Sequence, residues 1–452
     1  MVFSSLTFIY YFLPILFILY FIVPYKFKSY VLVLMSFIFY FYGEGKYLAL
    51  LILSAVFNYY VSKKITNNKK LLIFSLIVNF VPIIYFKYSN FFLQNVNGIL
   101  NTNFFINGLV LPIGISFFTF QNVSYIIDVY KDKKEKASSL LNYVLYLTFF
   151  AQLVAGPIVR YSEIKNDVDK RKLNFINLYN GFIRFVYGLS KKVLLANGIG
   201  ILIDNLNTLS DKSVLLYWIL ALSYTLQIYF DFSGYSDMAI GIGKMFNFNF
   251  LENFNYPLSS KSITEFWRRW HISLSRWFRD YVYFPLGGNR VSKIKWFRNI
   301  LVVWALTGLW HGASWNFIIW GLYFGLILLF EKVFLFQYLE KSKIISRIYT
   351  IVLVLISFVI FSVEDINSLF IFLKSMFGFN GLSFVNFDTM YYVKSFMILI
   401  LISCLFSFPL FKKFEDKKLY KKIEPIVCLI LFILITSYLV DSTFNPFLYF
   451  RF

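Results

Sequence analysis

The sequence predicts an all-α polytopic membrane protein, and three observations carry that prediction. The first is composition. Of 452 residues, 59% are hydrophobic, 22% aromatic and only 15% charged, whereas a soluble domain has roughly 45–50% apolar and about 25% charged residues. Mean hydropathy is +0.66. The second is a series of apolar runs near the ~20 residues that a helix needs to cross a bilayer. The third is the placement of charge. The net charge is +21, and basic residues cluster between the apolar runs, as at Lys63-Lys64, Lys131 to Lys136 and Lys412 to Lys422. This is the positive-inside pattern of cytoplasmic loops. Nucleic acid is not an expected partner, because phosphate contacts need a continuous solvated basic surface. A soluble enzyme, a disordered tail, a collagen-like fibre and a small disulfide scaffold are excluded.

In chain order the candidate spans are 6–23, 30–43, 47–62, 71–87, 106–130, 140–157, 179–203, 214–230, 299–335, 346–362, 366–378, 393–411 and 423–440. Several are short or broken, so roughly nine to eleven full crossings are expected. Re-entrant and interfacial helices around a central tunnel complete the expected architecture. No internal repeat or low-complexity linker divides the chain, so 1–452 reads as a single membrane domain. The first run has no basic residue before it and no small-residue cleavage site after it, and reads as a retained span rather than a signal peptide. Cys404 and Cys428 lie in apolar runs and read as free thiols.

Orientation follows from Lys and Arg. Lys26 and Lys28 place the first loop inside, so the N-terminus is expected outside. Alternation then holds as far as Lys131 to Lys134. The run 140–157 interrupts it, since Arg160, Lys165, Lys170, Arg171 and Lys172 follow at once. Basic residues on both flanks suggest a re-entrant segment broken at Gly156-Pro157. Backbone that breaks at membrane depth must be buried in protein or line a cavity, so Gln152 to Pro157 is a candidate cavity wall. At the far end Lys412 to Lys422 is inside and the C-terminus is expected outside.

Only two histidines exist, His271 and His311. Residues 251–298 are not a span. Ser262-Ile-Thr-Glu265 forms a capping box, and a helix from about Ile263 to Tyr283 is expected after it. Trp267, Trp270, His271, Leu274, Trp277, Phe278 and Tyr281 form an aromatic stripe, and Arg268, Arg269, Arg276 and Arg279 lie mainly on the other side. This is an interfacial helix on the cytoplasmic surface. Two readings stand. Either the helix is an anchor with His271 in its core, or it is a gate. In the gate, the four arginines attract the phosphates of an anionic substrate and His271 faces a reaction chamber.

The run 299–335 is too long for one simple span, and its middle reads Thr307-Gly-Leu-Trp-His311-Gly-Ala-Ser-Trp-Asn316. Gly308 and Gly312 offer a close-approach face for another helix. His311 lies about 12 residues, or roughly 18 Å of helix, from Ile300. That places it near the membrane's middle, where an ionisable residue marks a functional site by default. Burial keeps an imidazole neutral, the form that a general base requires. A proton relay in a transporter would use the same features.

A third cluster, Tyr229-Phe-Asp231-Phe-Ser-Gly-Tyr235-Ser-Asp237, either orients a histidine and lines a polar tunnel or is a helix-end cap with solvated aspartates. The candidate tunnel lining is therefore Gln152, Asp231, Tyr235, Asp237, Trp310 and Asn316. Two histidines and distant aspartates make a weak metal site, and no metal is expected.

At these residues the chain resembles the membrane-bound O-acyltransferase family, in its bacterial branch of alginate and peptidoglycan O-acetyltransferases. The resemblance is carried by Leu111 to Gln121, Asp128-Val-Tyr130, Gln152 to Tyr161, Phe232 to Gly241 and Glu252 to Pro257. It is strongest at Ser262 to Arg290 and Ala305 to Gly325. It covers essentially 1–335, with the densest motifs over 111–335. It implies that His311 matches the family's near-universal histidine and His271 a second polar position. It further implies two funnels meeting at the histidine, acetyl-CoA as a cytoplasmic acyl donor rather than a resident cofactor, and O-acetylation of an exopolysaccharide or peptidoglycan. An extracytoplasmic acetyltransferase partner, membrane lipid around the chain and a bacterial inner-membrane location are implied as well. D-alanyl transfer to teichoic acid is the alternative within the family. One departure is Phe324, where relatives often carry a further histidine.

Overall fold

The structure, a computed structural model, describes residues 1–172, 174–414, 417–441 and 447–448. Helices and their connections account for it, with no strand among the described residues. Among the described residues six helices are long and apolar enough to cross a membrane, or seven if Phe387–Ser395 and Met397–Phe406, bent by 60°, form one span. The chain is an all-α polytopic membrane protein. This count is lower than the nine to eleven expected because several apolar runs sit on shorter helices, such as Thr7–Ile22, Tyr47–Ser62 and Ile366–Met376.

The chain forms two compact units, each built from separated stretches. One comprises the described residues of Met1–Leu189, Tyr235–Glu252, and 439–441 with 447–448. Its centre is the helix Ile115–Lys131, in which every residue from Ile115 to Ile126 is buried. Tyr47–Ser62 and Lys69–Ile83 pack on it. Phe3, Phe8, Phe12, Phe39 and Phe150 interlock nearby with ring centroids 4.9–6.2 Å apart. Lipid is as apolar as leucine, so this side-chain packing, rather than expulsion of water, holds such helices together.

The expected re-entrant segment is a broken one, but the break falls earlier than Gly156-Pro157. Helix Leu140–Thr148 stops at Phe149, whose φ of −55° and ψ of 114° leave the helical region, and a single turn follows at Phe150–Leu153. Residues 145–159 are all buried. Broken backbone is thus enclosed by protein, as the bilayer requires.

The second unit comprises Ser190–Gly234 and the described residues of Asn253–Tyr438. Its core is a hairpin of Lys293–His311 and Trp315–Phe330. A Cβ on Gly308 would collide with the Phe317 carbonyl, and one on Gly321 with the Trp304 carbonyl and the Gly308 backbone. The close-approach face read at Gly308 is therefore real, and its partner is the next helix of the same chain. At Gly312 the neighbour is the Phe317 ring instead. Cys404 and Cys428 are free thiols.

Because backbone cannot yield as a side chain can, Gly308→Val or Gly321→Val is expected to lower stability by about 3 kcal/mol, read as a fall in thermal midpoint in detergent. Gly98→Ala is the control. A Cβ there meets nothing within 4 Å, and alanine favours a helix over glycine by roughly 0.5–1 kcal/mol.

Candidate functional site

The second unit brings both histidines to one indole. Helix Lys293–His311 ends on His311, and Gly312 turns the chain with φ −169° and ψ 160°. His311 is 2% exposed. Its ring lies 4.9 Å from Trp310, 4.8 Å from Trp320 and 5.3 Å from Phe361, edge-on to each. Trp310 is also 5.8 Å from His271, so both imidazoles contact the same indole. Asn316 is fully buried, and its Nδ2 donates to the carbonyls of Ile360 and Phe361 at 3.4 and 3.1 Å. Its Oδ1, and Trp320 Nε1, are buried with no hydrogen-bond partner among the described residues. Buried polar atoms of this kind around a histidine suit a polar substrate.

His271 is placed by a break that the sequence pattern hides. The expected continuous helix from Ile263 to Tyr283 is instead Ile263–Arg269, Ile272–Phe278 and a π-helical turn at Arg279–Tyr283. His271 itself has φ 42° and ψ 55°, a left-handed conformation that asparagine, aspartate and histidine adopt more readily than other side chains. The three-and-four spacing survives the break, so Trp267, Trp270, Leu274, Trp277 and Phe278 are still buried. The capping box is half formed. Ser262 Oγ accepts from Glu265 N at 3.0 Å, while Glu265 reaches back to Lys261 N at 2.9 Å. A residue not anticipated, Glu331, caps the same turn. It is fully buried and accepts from Ile263 N at 2.6 Å, Thr264 N at 2.9 Å and Thr264 Oγ1 at 2.8 Å.

The group that orients His271 is Asn253, not an aspartate. His271 Nδ1 lies 3.1 Å from Asn253 Oδ1, which also accepts from Ser273 N at 3.1 Å and Ser273 Oγ at 2.9 Å. A backbone N–H can only donate, so the Asn253 atom is the amide oxygen, and the His271 nitrogen facing it carries the proton. Neutral His271 is therefore the Nδ1–H tautomer, with its basic lone pair on Nε2. Burial pulls its pKa down to about 3.

Asp231 and Asp237 lie within one continuous helix, Val214–Met245, which rules out the helix-end cap. Asp231 is buried against Lys192, 2.5 Å from its Nζ, with both side chains 2% exposed. Lys192 stands in a π-helical turn, Lys191–Ala196. Its only sequence signal was a lysine inside an apolar run. Gln152, Tyr235 and Asp237 belong to the first unit. Gln152 Nε2 donates to the Tyr146 carbonyl, and its Oε1 has no partner among the described residues. Tyr235 stacks on Phe3 at 4.9 Å, and Asp237 pairs with Arg184 at 2.8 Å.

The four arginines do not act alike. Arg268 is exposed and Arg276 half-buried. Arg279 is exposed and bound to its neighbour Asp280 at 2.7 Å. Arg269 pairs with Glu265 at 2.8 Å and, with Lys261, Arg347 and Lys413, lines a cleft of about 470 Å³. Phe324, where a further histidine was noted as missing, is fully buried and packs edge-on against Trp267 and Trp320 at 5.0 and 5.2 Å.

The lowered pKa of His271 makes the fold acid-sensitive. An unfolded histidine takes up a proton below about 6.5, but the folded one resists until about 3. In that window the unfolded chain binds the extra proton, so stability falls as pH drops. Unfolding midpoints at pH 7.5 and 5 should fall further for the wild type than for His271→Asn. An equal fall would remove His271 as the cause.

Comparison with known proteins identifies the family. A sequence model of the membrane-bound O-acyltransferase family matches residues 37–373. The chain is 38% identical over 391 residues to a probable alginate O-acetylase of Azotobacter vinelandii, covering 84% of this chain and 78% of that protein. It is 39% identical over 426 residues to a peptidoglycan O-acetyltransferase of Helicobacter pylori, covering 85% and 81%. A teichoic acid D-alanyltransferase of Bacillus subtilis is 32% identical over 242 residues, covering 50% of this chain and 61% of that one. With both histidines inside the matched region, the chain belongs to the membrane-bound O-acyltransferase family and is a multi-pass membrane O-acyltransferase.

Proposed function

We propose that this enzyme moves an acetyl group from cytoplasmic acetyl-CoA across the inner membrane for O-acetylation of a cell-surface glycan, an exopolysaccharide or peptidoglycan. The observation that carries the reading is His311, enclosed by aromatic rings at the break of a helical hairpin and sharing the Trp310 indole with His271. Relatives named for glycan O-acetylation match over four-fifths of the chain, whereas the D-alanyltransferase matches over half. This favours acetyl over D-alanyl transfer, and an enzyme over a transporter that cleaves no thioester.

In the proposed reaction an acceptor hydroxyl attacks the thioester carbonyl. A C–O bond forms, the C–S bond breaks, and the hydroxyl proton passes through His311 to the departing thiolate. His271, neutral and with its lone pair on Nε2, is proposed to accept a hydrogen bond from the reacting hydroxyl rather than its proton. The cleft lined by Lys261, Arg269, Arg347 and Lys413, with Glu265 paired to Arg269 in the same wall, is the proposed place for the donor's phosphates. Asn316, Trp310 and Asp231 are proposed polar lining residues of this unit, and Gln152, Tyr235 and Asp237 are proposed polar lining residues within the other unit. The N- and C-termini are proposed to lie outside. An extracytoplasmic acetyltransferase is the proposed partner that places the group on the polymer.

The test is the O-acetyl content of surface polysaccharide and peptidoglycan in cells expressing wild type or His311→Ala at matched membrane levels. Loss of a general base costs about 10²–10⁴ in rate, so ester on one polymer should fall to background. Unchanged ester on both would refute the proposal. Because burial keeps folded His271 neutral down to about pH 3, the pH–rate profile should show no inflection near 6.5 from this residue.

A further inference from the structure

A separate basic cleft lies in the unit that does not hold the histidines. It encloses about 320 Å³ and is lined by Tyr20, Val23, Tyr25, Lys28, Arg171 and Lys172. Three of these six residues are cations and none is an acid. The walls come from the end of helix Leu13–Ile22, the 3₁₀ turn Tyr25–Phe27, the start of helix Lys28–Glu44 and the strand of loop after helix Tyr161–Lys170.

Arg171 is the built part of this cleft. It is 6% exposed, and among the described residues its hydrogen-bond and ring partners are neutral. Nη1 donates to the Val168 carbonyl at 3.2 Å, Nη2 donates to Ser29 Oγ at 2.9 Å, and the guanidinium covers the Phe248 ring at 5.0 Å. Its Nε is buried with no hydrogen-bond partner among the described residues. Lys28 Nζ sits over Tyr20 at 4.7 Å and Phe21 at 5.8 Å. Burial, and then the Arg171 charge, hold the Lys28 ammonium below its ordinary pKa. Like charges gathered around a buried guanidinium are costly unless an anion completes them.

The rim indicates which anion. Phe21, Ile22, Tyr25 and Phe27 are 40–74% exposed, a large apolar and aromatic border at the end of an apolar helix. Tyrosine and lysine in that position are typical of the membrane–water interface. A cationic floor with an apolar rim matches a phosphate that carries acyl chains better than a fully hydrated one. We propose that this cleft binds the phosphate of an anionic lipid headgroup, gripped by Lys28, Arg171 and Lys172 with the acyl chains along the rim.

The experiment uses the full chain, purified and reconstituted with phosphatidylglycerol or phosphatidylcholine, with retained lipid counted by native mass spectrometry. A second arm offers inorganic phosphate in detergent. Wild type should retain phosphatidylglycerol over phosphatidylcholine, and Lys28→Gln/Lys172→Gln should lower that retention roughly tenfold or more. That pair leaves the Arg171 hydrogen bonds in place and decides the matter if Arg171→Gln does not fold. Equal phosphatidylglycerol retention by wild type and the double variant overturns the proposal. So does binding of inorganic phosphate that displaces the lipid, which would make the occupant a soluble phosphate.

Discussion

Everything that positions His311 depends on two backbones touching. At Gly308 and Gly321 the arms of the hairpin approach until no Cβ fits between them. Lipid does not drive helices together, so close packing supplies the attraction, and small residues permit it. The turn at Gly312 then leaves His311 at the tip of one arm, with Trp320 on the other arm against its ring. The outcome is a polar, titratable side chain enclosed in aromatic carbon at the point where the helix ends.

His271 is held by a different principle. Its surroundings are fixed by hydrogen bonds to groups whose roles are unambiguous. The Ser273 amide identifies the Asn253 oxygen, and that oxygen sets the tautomer. The turn before it is fixed by the buried carboxylate of Glu331, which caps Ile263 and Thr264. One end of the segment is therefore tied to an apolar helix by a charge-assisted network. The other end is tied to the connection that follows helix Val214–Met245.

The fold class was legible because hydropathy and charge placement are direct consequences of the bilayer. Burial of the aromatic stripe and the break beside His311 were legible for similar reasons, since helix period and glycine placement are local signals. The break at His271 was not, because a single left-handed residue preserves the three-and-four spacing on either side of it. Asn253, Glu331 and Lys192 were missed for another reason. Each acts on a residue 18 to 68 positions away, and no local pattern announces a partner at that separation. The arginines were counted as one group because the sequence shows charge but not its neighbours, and Asp280 and Glu265 neutralise two of the four.

The left-handed backbone at His271 also limits how this position can drift. A β-branched residue is disfavoured there by its own main chain, before any question of reactivity arises. Glycine would relieve the conformation but remove the ring that Phe232 and Trp310 enclose at 4.7 and 5.8 Å. Asparagine and aspartate are the side chains that satisfy the backbone and remain polar. Mutational routes through this site are thus narrowed to a few residues by geometry alone, and selection on turnover acts only on what that filter admits.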